Sequence, residues 1–285
     1  MIIKKLRLER FKSFKDAEIE LGPFTVLLGV NASGKSNIRD AFRFLHGILQ
    51  GYELADVFGE QRIAGRLQWS GIRGGTRIAF QEAETFALEV TFLIQLNPRT
   101  EPEEMLYRIE VAPGKTETPP RLVAESLKLI ENAKSLFDVK YRNDDSTDFL
   151  SLEIDGQKIT ETEWRESGFP AINYLSILNI IVYDKITIIK PLLRGICFNI
   201  KEAFRELLFF NLEPYWMRIP SVPGQTKLGD RGENLSSVLQ KICKNPQRKQ
   251  ALLQSLQKLT PMDALDFEFP TDFTGCKNIF VDYRH

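Results

Sequence analysis

The chain has 285 residues, 43% hydrophobic and 27% charged, a composition typical of a globular protein with room for one large or two ordinary domains. Its 38 basic and 38 acidic side chains balance, which excludes a global basic excess of the kind that marks many nucleic-acid binders. Any contact with a nucleic acid would have to come from a local patch.

The chain opens with the pattern of two strands. Residues 2–11 alternate between apolar and charged side chains over much of their length, as a half-buried strand does. The alternation returns at residues 17–21, after a predicted turn at 13–16. Gly22 and Pro23 then interrupt the pattern, and the apolar, β-rich run 24–28 predicts a third strand that is buried.

A complete Gly-x-x-x-x-Gly-Lys-Ser motif follows that run directly. Its glycines allow the backbone to turn tightly around an anion, so that consecutive N–H groups point at phosphate oxygens. Lys35 would place its charge near the β- and γ-phosphates, and the Ser36 hydroxyl would ligate Mg²⁺. The motif therefore predicts ATP and Mg²⁺ as cofactors, held by Gly29, Asn31, Ala32, Ser33, Gly34, Lys35, Ser36 and Asn37.

Helical spacing begins immediately after this loop. The residues that recur at that spacing are Ile38, Ala41, Phe42, Leu45, Ile48 and Leu49. The order strand, loop, helix is the context in which the motif binds phosphate, because the helix N-terminus adds its dipole to the site. His46 lies near the apolar stripe of this helix and is interpreted as structural.

The middle of the chain predicts an antiparallel β lobe. Asp155-Gly156 is a typical hairpin turn, and strand patterns occur within 77–96 and at 107–111, 122–129 and 149–154. From about residue 170 the apolar spacing becomes helical instead. Asn245-Pro246 is a typical helix start, because proline is well tolerated at the first helical position.

These changes of pattern predict four regions. A nucleotide-binding lobe with the phosphate loop covers residues 1–110, and a β-rich extension of it covers 111–169. A mostly helical region follows at 170–260, and residues 261–285 begin a C-terminal lobe. The predicted fold class is α/β, with an antiparallel β lobe and a helical region.

Three stretches resemble the ATPase heads of the RecF, structural-maintenance-of-chromosomes (SMC) and overcoming-lysogenization-defect (OLD) class, which are relatives of ABC transporter heads. Residues 6–14 resemble the first strand and turn of such heads. The 29–37 loop resembles theirs, with Ala32 where the family has glycine. Residues 228–239 resemble a Gly-x-Asn-Leu segment of predicted AAA-type ATPases found near bacterial defence genes.

The resemblance implies a P-loop head of the ABC type and a larger nucleotide site. It adds Arg10, Lys12 and Ser13, because the turn that they occupy faces the nucleotide in similar heads. It implies that ATP is sandwiched between two copies, so the expected partner is a second copy or another ATPase subunit. DNA and an associated nuclease or effector are further candidate partners. The loop around Arg73 resembles one where related heads place an arginine near phosphate or DNA, with a plain hairpin turn as the alternative.

Two elements of such heads do not occur in this sequence. One is the Leu-Ser-x-Gly segment that caps the partner's γ-phosphate, and the other is an apolar strand ending in Asp-Glu, which holds Mg²⁺ and activates water. Asp184 and Asp282 each end an apolar run but lack the glutamate, which favours ordinary structural residues. The chain is therefore expected to be an N-terminal portion of a head that hydrolyses ATP negligibly by itself.

Three hypotheses of function follow. The first is an ATP-binding head that acts in DNA repair, chromosome maintenance or antiphage defence through ATP-driven association. The second is a non-catalytic interaction module that needs a partner chain for the missing half. The third is a small-molecule P-loop kinase, which the late position of the loop and the β-rich lobe argue against.

The remaining chemistry-bearing residues predict no second site. Cys197, Cys243 and Cys276 are far apart, with only His46 and His285 to accompany them, which favours thiols in a reducing cytosol over a zinc site. Acidic residues dilute the basic ones near the start of the chain, so a solvated strand face is favoured there over a phosphate-backbone contact. No signal peptide or membrane span is predicted, and a cytoplasmic location is expected.

Overall fold

The computed structural model describes residues 1–59, 61–63, 66–69, 71–95, 101–114, 119–141, 149–154, 156–159, 177, 191–259 and 264–283. The chain forms two compact units, residues 1–207 and residues 208–285. The architecture is mixed α/β, built on one large antiparallel sheet with helices. In that respect the predicted class is confirmed.

The first unit holds most of the strands. In chain order its described elements are β1 (Ile2–Phe11), β2 (Phe14–Glu20), α1 (Lys35–Gln50), α2 (Leu54–Phe58), β3 (Gln61–Ile63), β4 (Arg66–Trp69), α3 (Gly75–Phe80), β5 (Phe86–Ile94), β6 (Glu103–Ala112), β7 (Arg121–Leu129), β8 (Ser135–Tyr141), β9 (Phe149–Ile154), β10 (Gln157–Ile159) and α4 (Pro191–Arg205). Eight of these strands form one sheet in the order β10-β9-β8-β7-β6-β5-β1-β2, and β3 pairs with β4 separately.

The two faces of the large sheet differ sharply, because antiparallel registers bring like side chains together. Leu6 pairs with Val90 of β5, which in turn pairs with Tyr107 of β6, and all three are fully buried. On the opposite face, Arg7 pairs with Glu89, which pairs with Arg108. One face is therefore an apolar core surface and the other is a charged, solvated surface, as alternation along each strand requires.

Helix α1 covers the apolar face of the sheet. The ring of Phe44 meets the ring of Phe86 edge to face at 5.3 Å, and Phe86 in turn meets Phe11 at 5.0 Å. Two residues after Phe44, His46 Nδ1 lies 2.7 Å from the carbonyl oxygen of Phe204 in α4, and its ring stacks on Trp69. These contacts fix the helix that follows the phosphate loop against the sheet and against α4.

The second unit contains three helices and a strand pair among its described residues. They are α5 (Pro214–Met217), α6 (Leu235–Cys243), α7 (Pro246–Leu259), β11 (Ala264–Glu268) and β12 (Phe280–Tyr283), with β11 and β12 antiparallel. Asn234 precedes α6 and holds the loop before it: its Oδ1 accepts from the Gly229 N–H, and its Nδ2 donates to the Lys227 carbonyl. The 228–239 segment thus forms a turn and a helix start.

Several sequence predictions are confirmed and three are wrong. A strand forms at 2–11, a second strand covers most of 17–21, and the helix after the phosphate loop and the helix starting at Pro246 both form. The turn predicted at 13–16 is wrong, because β2 already begins at Phe14. The run 24–28 was predicted as a buried strand, but it is neither a strand nor buried. The stretch from 77 was predicted as β, but residues up to Phe80 belong to α3. Strand β8 (Ser135–Tyr141) was not predicted, and residues 160–176 and 178–190 lie outside the described part.

The exposure of residues 24–28 has a topological cause. Strand β2 is the edge of the large sheet, and its only neighbour there is β1. The chain leaves this edge after Leu21, whose N–H still donates to the Lys4 carbonyl, and continues through Gly22 and Pro23. No strand in the described ranges lies beside residues 24–28, and their apolar side chains are exposed.

One boundary between the predicted regions falls within a strand. The predicted boundary at residue 110 lies inside β6 (Glu103–Ala112), and a single sheet runs across it. The predicted start of a C-terminal lobe at 261 lies within the second unit. Among the described helices, none is both long and apolar enough to cross a membrane.

Candidate functional site

The phosphate loop turns into α1 through two residues with a left-handed backbone. Ala32 has φ of +66° and Gly34 has φ of +94°, and helical hydrogen bonding begins with the N–H of Asn37 donating to the Gly34 carbonyl at 2.8 Å. This fully described helix has neither a side-chain cap nor an acidic residue in its first turn. Its N-terminus therefore presents N–H groups and the positive end of its dipole without a competing carboxylate.

Lys35 folds its ammonium group back over the loop. Nζ donates to the carbonyl oxygens of Gly29 at 2.6 Å and Val30 at 2.8 Å, and lies 3.2 Å from Ser33 Oγ. The charge thus lies against the backbone of the loop. A phosphate bound there would exchange these neutral acceptors for anionic ones, which form stronger hydrogen bonds with an ammonium group.

The inside of the loop fits a phosphate only because position 29 has no side chain. A Cβ atom at Gly29 would lie 2.7 Å from Ser33 Oγ and 3.8 Å from Lys35 Nζ, in the space that the loop encloses. Ser36 is exposed at the first turn of α1, where its hydroxyl is free to ligate a cation. In the described part of the chain no cluster of three or more acidic, histidine or cysteine residues could hold a metal. An exposed hydroxyl at this position fits a Mg²⁺ ion that nucleotide phosphates would carry.

The turn between β1 and β2 lies against the phosphate loop. Lys12 in this turn and Arg10 at the end of β1 both have φ of +53°, and the Lys12 N–H donates to the Ala79 carbonyl of α3 at 2.9 Å. Ser13 Oγ accepts from Asn37 Nδ2 at 2.8 Å, so the turn reaches the residue that follows Ser36. Lys12 and Ser13 are therefore brought to the loop's helix.

Arg10 takes a different direction. Its Nε donates to the Thr85 carbonyl at 2.9 Å, and its Nη2 lies 3.1 Å from Thr85 Oγ1 and 3.5 Å from Glu110 Oε1. These partners lie just before β5 and on β6. The structure thus brings Lys12 and Ser13, but not the Arg10 guanidinium, to α1.

Two cations share one buried carboxylate beside the loop. Lys12 Nζ lies 2.6 Å from Asp40 Oδ2, and both side chains are 1% exposed. Arg73 donates to the same Asp40 through Nε at 3.0 Å and Nη2 at 2.8 Å. Burial lowers the pKa of Lys12 from its ordinary value, although the hydrogen bond and charge of Asp40 oppose that shift.

These contacts join three segments into one network. Lys12 Nζ also donates to the Arg73 carbonyl at 2.7 Å, and Arg73 Nη2 lies 3.3 Å from Asn37 Oδ1. Asn37 therefore has both ends of its amide engaged, one by Arg73 and the other by Ser13. The β1–β2 turn, the first two turns of α1 and the loop before α3 are held together at the phosphate loop.

A family model for the AAA ATPase domain matches residues 1–160, more than half of the chain. The chain belongs to this AAA ATPase domain family. Membership implies that the nucleotide is ATP, which agrees with the loop geometry. The predicted relation to AAA-type ATPase heads is thereby confirmed.

Two curated proteins show shorter similarities. The chain is 47% identical to the chromosome partition protein Smc of Halothermothrix orenii over a segment of 64 residues. This segment is 20% of this chain and 5% of that protein. The chain is also 42% identical to structural maintenance of chromosomes protein 1 of Arabidopsis thaliana over a segment of 62 residues. This segment is 19% of this chain and 5% of that protein. The matched segment is thus about one twentieth of the length of either relative.

Asp40 is the residue of this ATPase domain site that the sequence analysis missed. The spacing in the sequence does contain a signal for Asp40. It stands three residues after Asn37 and four before Phe44, and this spacing places the three residues on the same face of α1. A carboxylate inside a stripe that is otherwise buried and apolar requires a cationic partner. The spacing in the sequence indicates that Asp40 needs a cationic partner, but it does not identify Lys12 or Arg73 as that partner.

The run that leads into the loop is the most exposed apolar stretch near the site. Phe24 is 86% exposed, Leu28 is 89% exposed and Val30 is 79% exposed, with Val26 at 58%. Contiguous exposed apolar residues of this size usually mark a surface that another element covers. In the described part of the chain no element does so.

Proposed function

We propose that this AAA ATPase domain is the ATP-binding head of a RecF-, SMC- or OLD-like protein, which acts in DNA repair, chromosome maintenance or antiphage defence through ATP-driven association. The observation that carries the proposal is the loop itself. Gly29 leaves the cradle open, Lys35 stands inside it, and Ser36 is exposed at the start of a 16-residue helix. This arrangement of an open cradle, a fixed cation and a helix dipole is suited to a polyphosphate.

Each residue has a separate part in binding ATP. Lys35 would exchange the Gly29 and Val30 carbonyls for the β- and γ-phosphate oxygens, and the N–H groups at the start of α1 would hold the remaining charge. Ser36 would ligate Mg²⁺, which bridges the same phosphates. Lys12, Ser13 and Asn37 would line the site from the side of the β1–β2 turn.

The role in chromosomes or defence is supported by similarity alone. The two curated relatives are named for chromosome partition and for structural maintenance of chromosomes, and the matched segment is a small part of each. ATP sandwiched between two copies would couple binding to association. DNA, and a nuclease or effector chain, are the partners that such a head would engage.

Calorimetric titration with Mg-ATP tests the nucleotide assignment. We expect saturable binding by the wild-type chain and at least a tenfold loss of affinity in Lys35→Ala, because the only ammonium group inside the described cradle is removed. Lys128→Ala is the matched control, since Lys128 pairs with Asp138 on the charged face of the sheet. Equal affinity in wild type and Lys35→Ala would refute the proposal.

Association and turnover are tested separately. Sedimentation velocity with a non-hydrolysable ATP analogue should show a larger species that ADP does not produce. Release of phosphate by the isolated chain should be no faster than by Lys35→Ala, because no residue has been identified that would position the attacking water. Robust turnover that Lys35→Ala abolishes would show that such a residue exists within the chain.

A second candidate function is a nucleotide-binding interaction module that works only with a partner chain. The exposed apolar run 24–30 favours it, since contiguous exposed apolar side chains are suited to contact with a partner chain. Phe24→Ser with Leu28→Ser should then abolish partner binding while Mg-ATP binding persists. If the double variant associates like wild type, the run is not the contact surface.

A further inference from the structure

Asp40 occupies an unusual place for an acidic side chain. It lies on the second turn of α1, 1% exposed, and it contacts cations from two segments that are distant in sequence. The Lys12 side chain is as deeply buried, whereas the Arg73 side chain is 52% exposed. One carboxylate thus holds one cation in the interior and a second at the surface.

The balance of charge within this cluster favours an anion nearby. Lys12 and Arg73 contribute two positive charges and Asp40 contributes one negative charge, and no other acidic group is among their described contacts. The surplus positive charge resides on the exposed guanidinium. Since the interior partner is sealed, any incoming anion would meet Arg73 rather than Lys12.

The positive charge of the Arg73 guanidinium is held near the phosphate loop. Asp40 grips Arg73 through two nitrogens, Nε and Nη2, so the plane of the guanidinium is fixed. The same Nη2 lies 3.3 Å from Asn37 Oδ1, and Asn37 directly follows Ser36. The guanidinium is therefore held one residue away from the expected Mg²⁺ ligand.

We propose that Asp40 is a positioning residue of the nucleotide site, which fixes Arg73 beside Asn37 so that its guanidinium strengthens the binding of a polyphosphate in the loop. The proposal rests on the proposed nucleotide-binding function. Asp40 does not touch the nucleotide: it acts through Arg73.

A double-mutant cycle in Mg-ATP affinity tests this directly. Asp40→Asn keeps the shape but removes the charge, and Arg73→Gln removes the guanidinium. We expect each variant to weaken binding about tenfold, as loss of one charge-assisted contact does. We expect the double variant to be weakened by about the same factor as either single variant, because Asp40 has nothing left to position.

Glu9→Gln is the control for the loss of an ion pair, here a partly buried one. Glu9 accepts two hydrogen bonds from Arg108 on the charged face of the sheet, at 2.8 and 2.9 Å, and lies outside the proposed site. It should bind Mg-ATP like wild type. If Asp40→Asn and Arg73→Gln multiply their effects in the double variant, Asp40 acts independently of Arg73 and the proposal is overturned.

A further variant keeps the proposal falsifiable if Asp40→Asn does not fold. Arg73→Lys keeps the positive charge but cannot reproduce the two-nitrogen grip. We expect it to bind Mg-ATP several-fold more weakly than wild type, with an unchanged melting temperature. Wild-type affinity in either Arg73→Lys or Arg73→Gln overturns the role of Asp40, whereas wild-type affinity in Lys35→Ala refutes the nucleotide site as a whole.

Discussion

The ring of Phe14 lies directly against Gly34, the residue before the loop lysine. A Cβ atom at position 34 would stand 2.8 Å from Phe14 Cζ, closer than side-chain atoms normally approach. Phe14 is the first residue of β2 and Gly34 is the last residue before α1. The edge of the sheet and the start of the phosphate-binding helix are thus in contact, with no room for a larger residue.

Gly34→Ala is therefore expected to abolish nucleotide binding. Position 34 has φ of +94°, which strains any residue with a side chain by about 1–2 kcal/mol, and the overlap with Phe14 would push the loop from its turn. Calorimetry with Mg-ATP and thermal melting measure the two effects. Gly224→Ala is the control, since its φ is +91° and its added Cβ meets nothing within 4 Å. If both variants bind ATP like wild type, the contact with Phe14 is not structural.

Gly47→Ala should destabilise the chain, although alanine favours helices. A Cβ atom at Gly47 in α1 would lie 2.9 Å from Trp69 Cζ2 and 3.1 Å from Val57 Cγ2. Overpacking of this kind costs about 1–3 kcal/mol and exceeds the gain in helix propensity. Gly195→Ala in α4 has open space around it and should stabilise by up to about 1 kcal/mol. Melting temperatures compare them, and a rise in both would contradict the close packing of α1.

The Glu9–Arg108 pair predicts a stability change in acid. The hydrogen bond from Arg108 holds the pKa of Glu9 below its ordinary value of 4.5, against the effect of partial burial. The pair thus stabilises the fold in full above pH 4.5, and this contribution of about 1 kcal/mol is lost as pH falls below 4.5 towards the lowered pKa.

Urea unfolding between about pH 6 and 3 measures this effect. Wild type should lose more stability over that range than Glu9→Gln, whose side chain does not titrate. Glu20→Gln serves as the exposed control, because the Lys5 nitrogen is 3.9 Å from its carboxylate. Identical pH profiles for wild type and Glu9→Gln would show that the pair contributes nothing.

The three cysteines should differ in reactivity. Cys197 is buried in α4, and burial raises the pKa of its thiol well above the ordinary value of 9.0. Cys243 and Cys276 are only partly buried. Iodoacetamide on the native chain should modify Cys243 and Cys276 before Cys197, because the thiolate is the reacting form. Mass spectrometry of digested samples, with a denatured control, measures the rates; equally rapid labelling of Cys197 would contradict the packing of α4.

Much of the first unit could be predicted from local pattern. Alternation specifies which face of a strand is buried, which is why β1 and the β5–β7 strands have the polarity that the sequence indicates. The loop at 29–36 and helix α1 form as the motif predicts, since both depend on residues close together in the chain. The strand predicted at 24–28 does not form, because an apolar run is buried only where another element of the structure covers it.

The contacts between distant segments were decided by tertiary structure alone. Asp40 and Arg73 are 33 residues apart and Asp40 and Lys12 are 28 apart, and no local pattern pairs them. Whether Arg10 or Lys12 reaches α1 depended on the backbone where β1 ends, because both residues have a positive φ there. The sequence by itself determined the phosphate loop and its helix, because their hydrogen bonding and periodicity are local. The packing of the sheet against α1 decided which charges surround that loop. Ion pairs form between whichever segments the core brings together, and no local pattern specifies those segments.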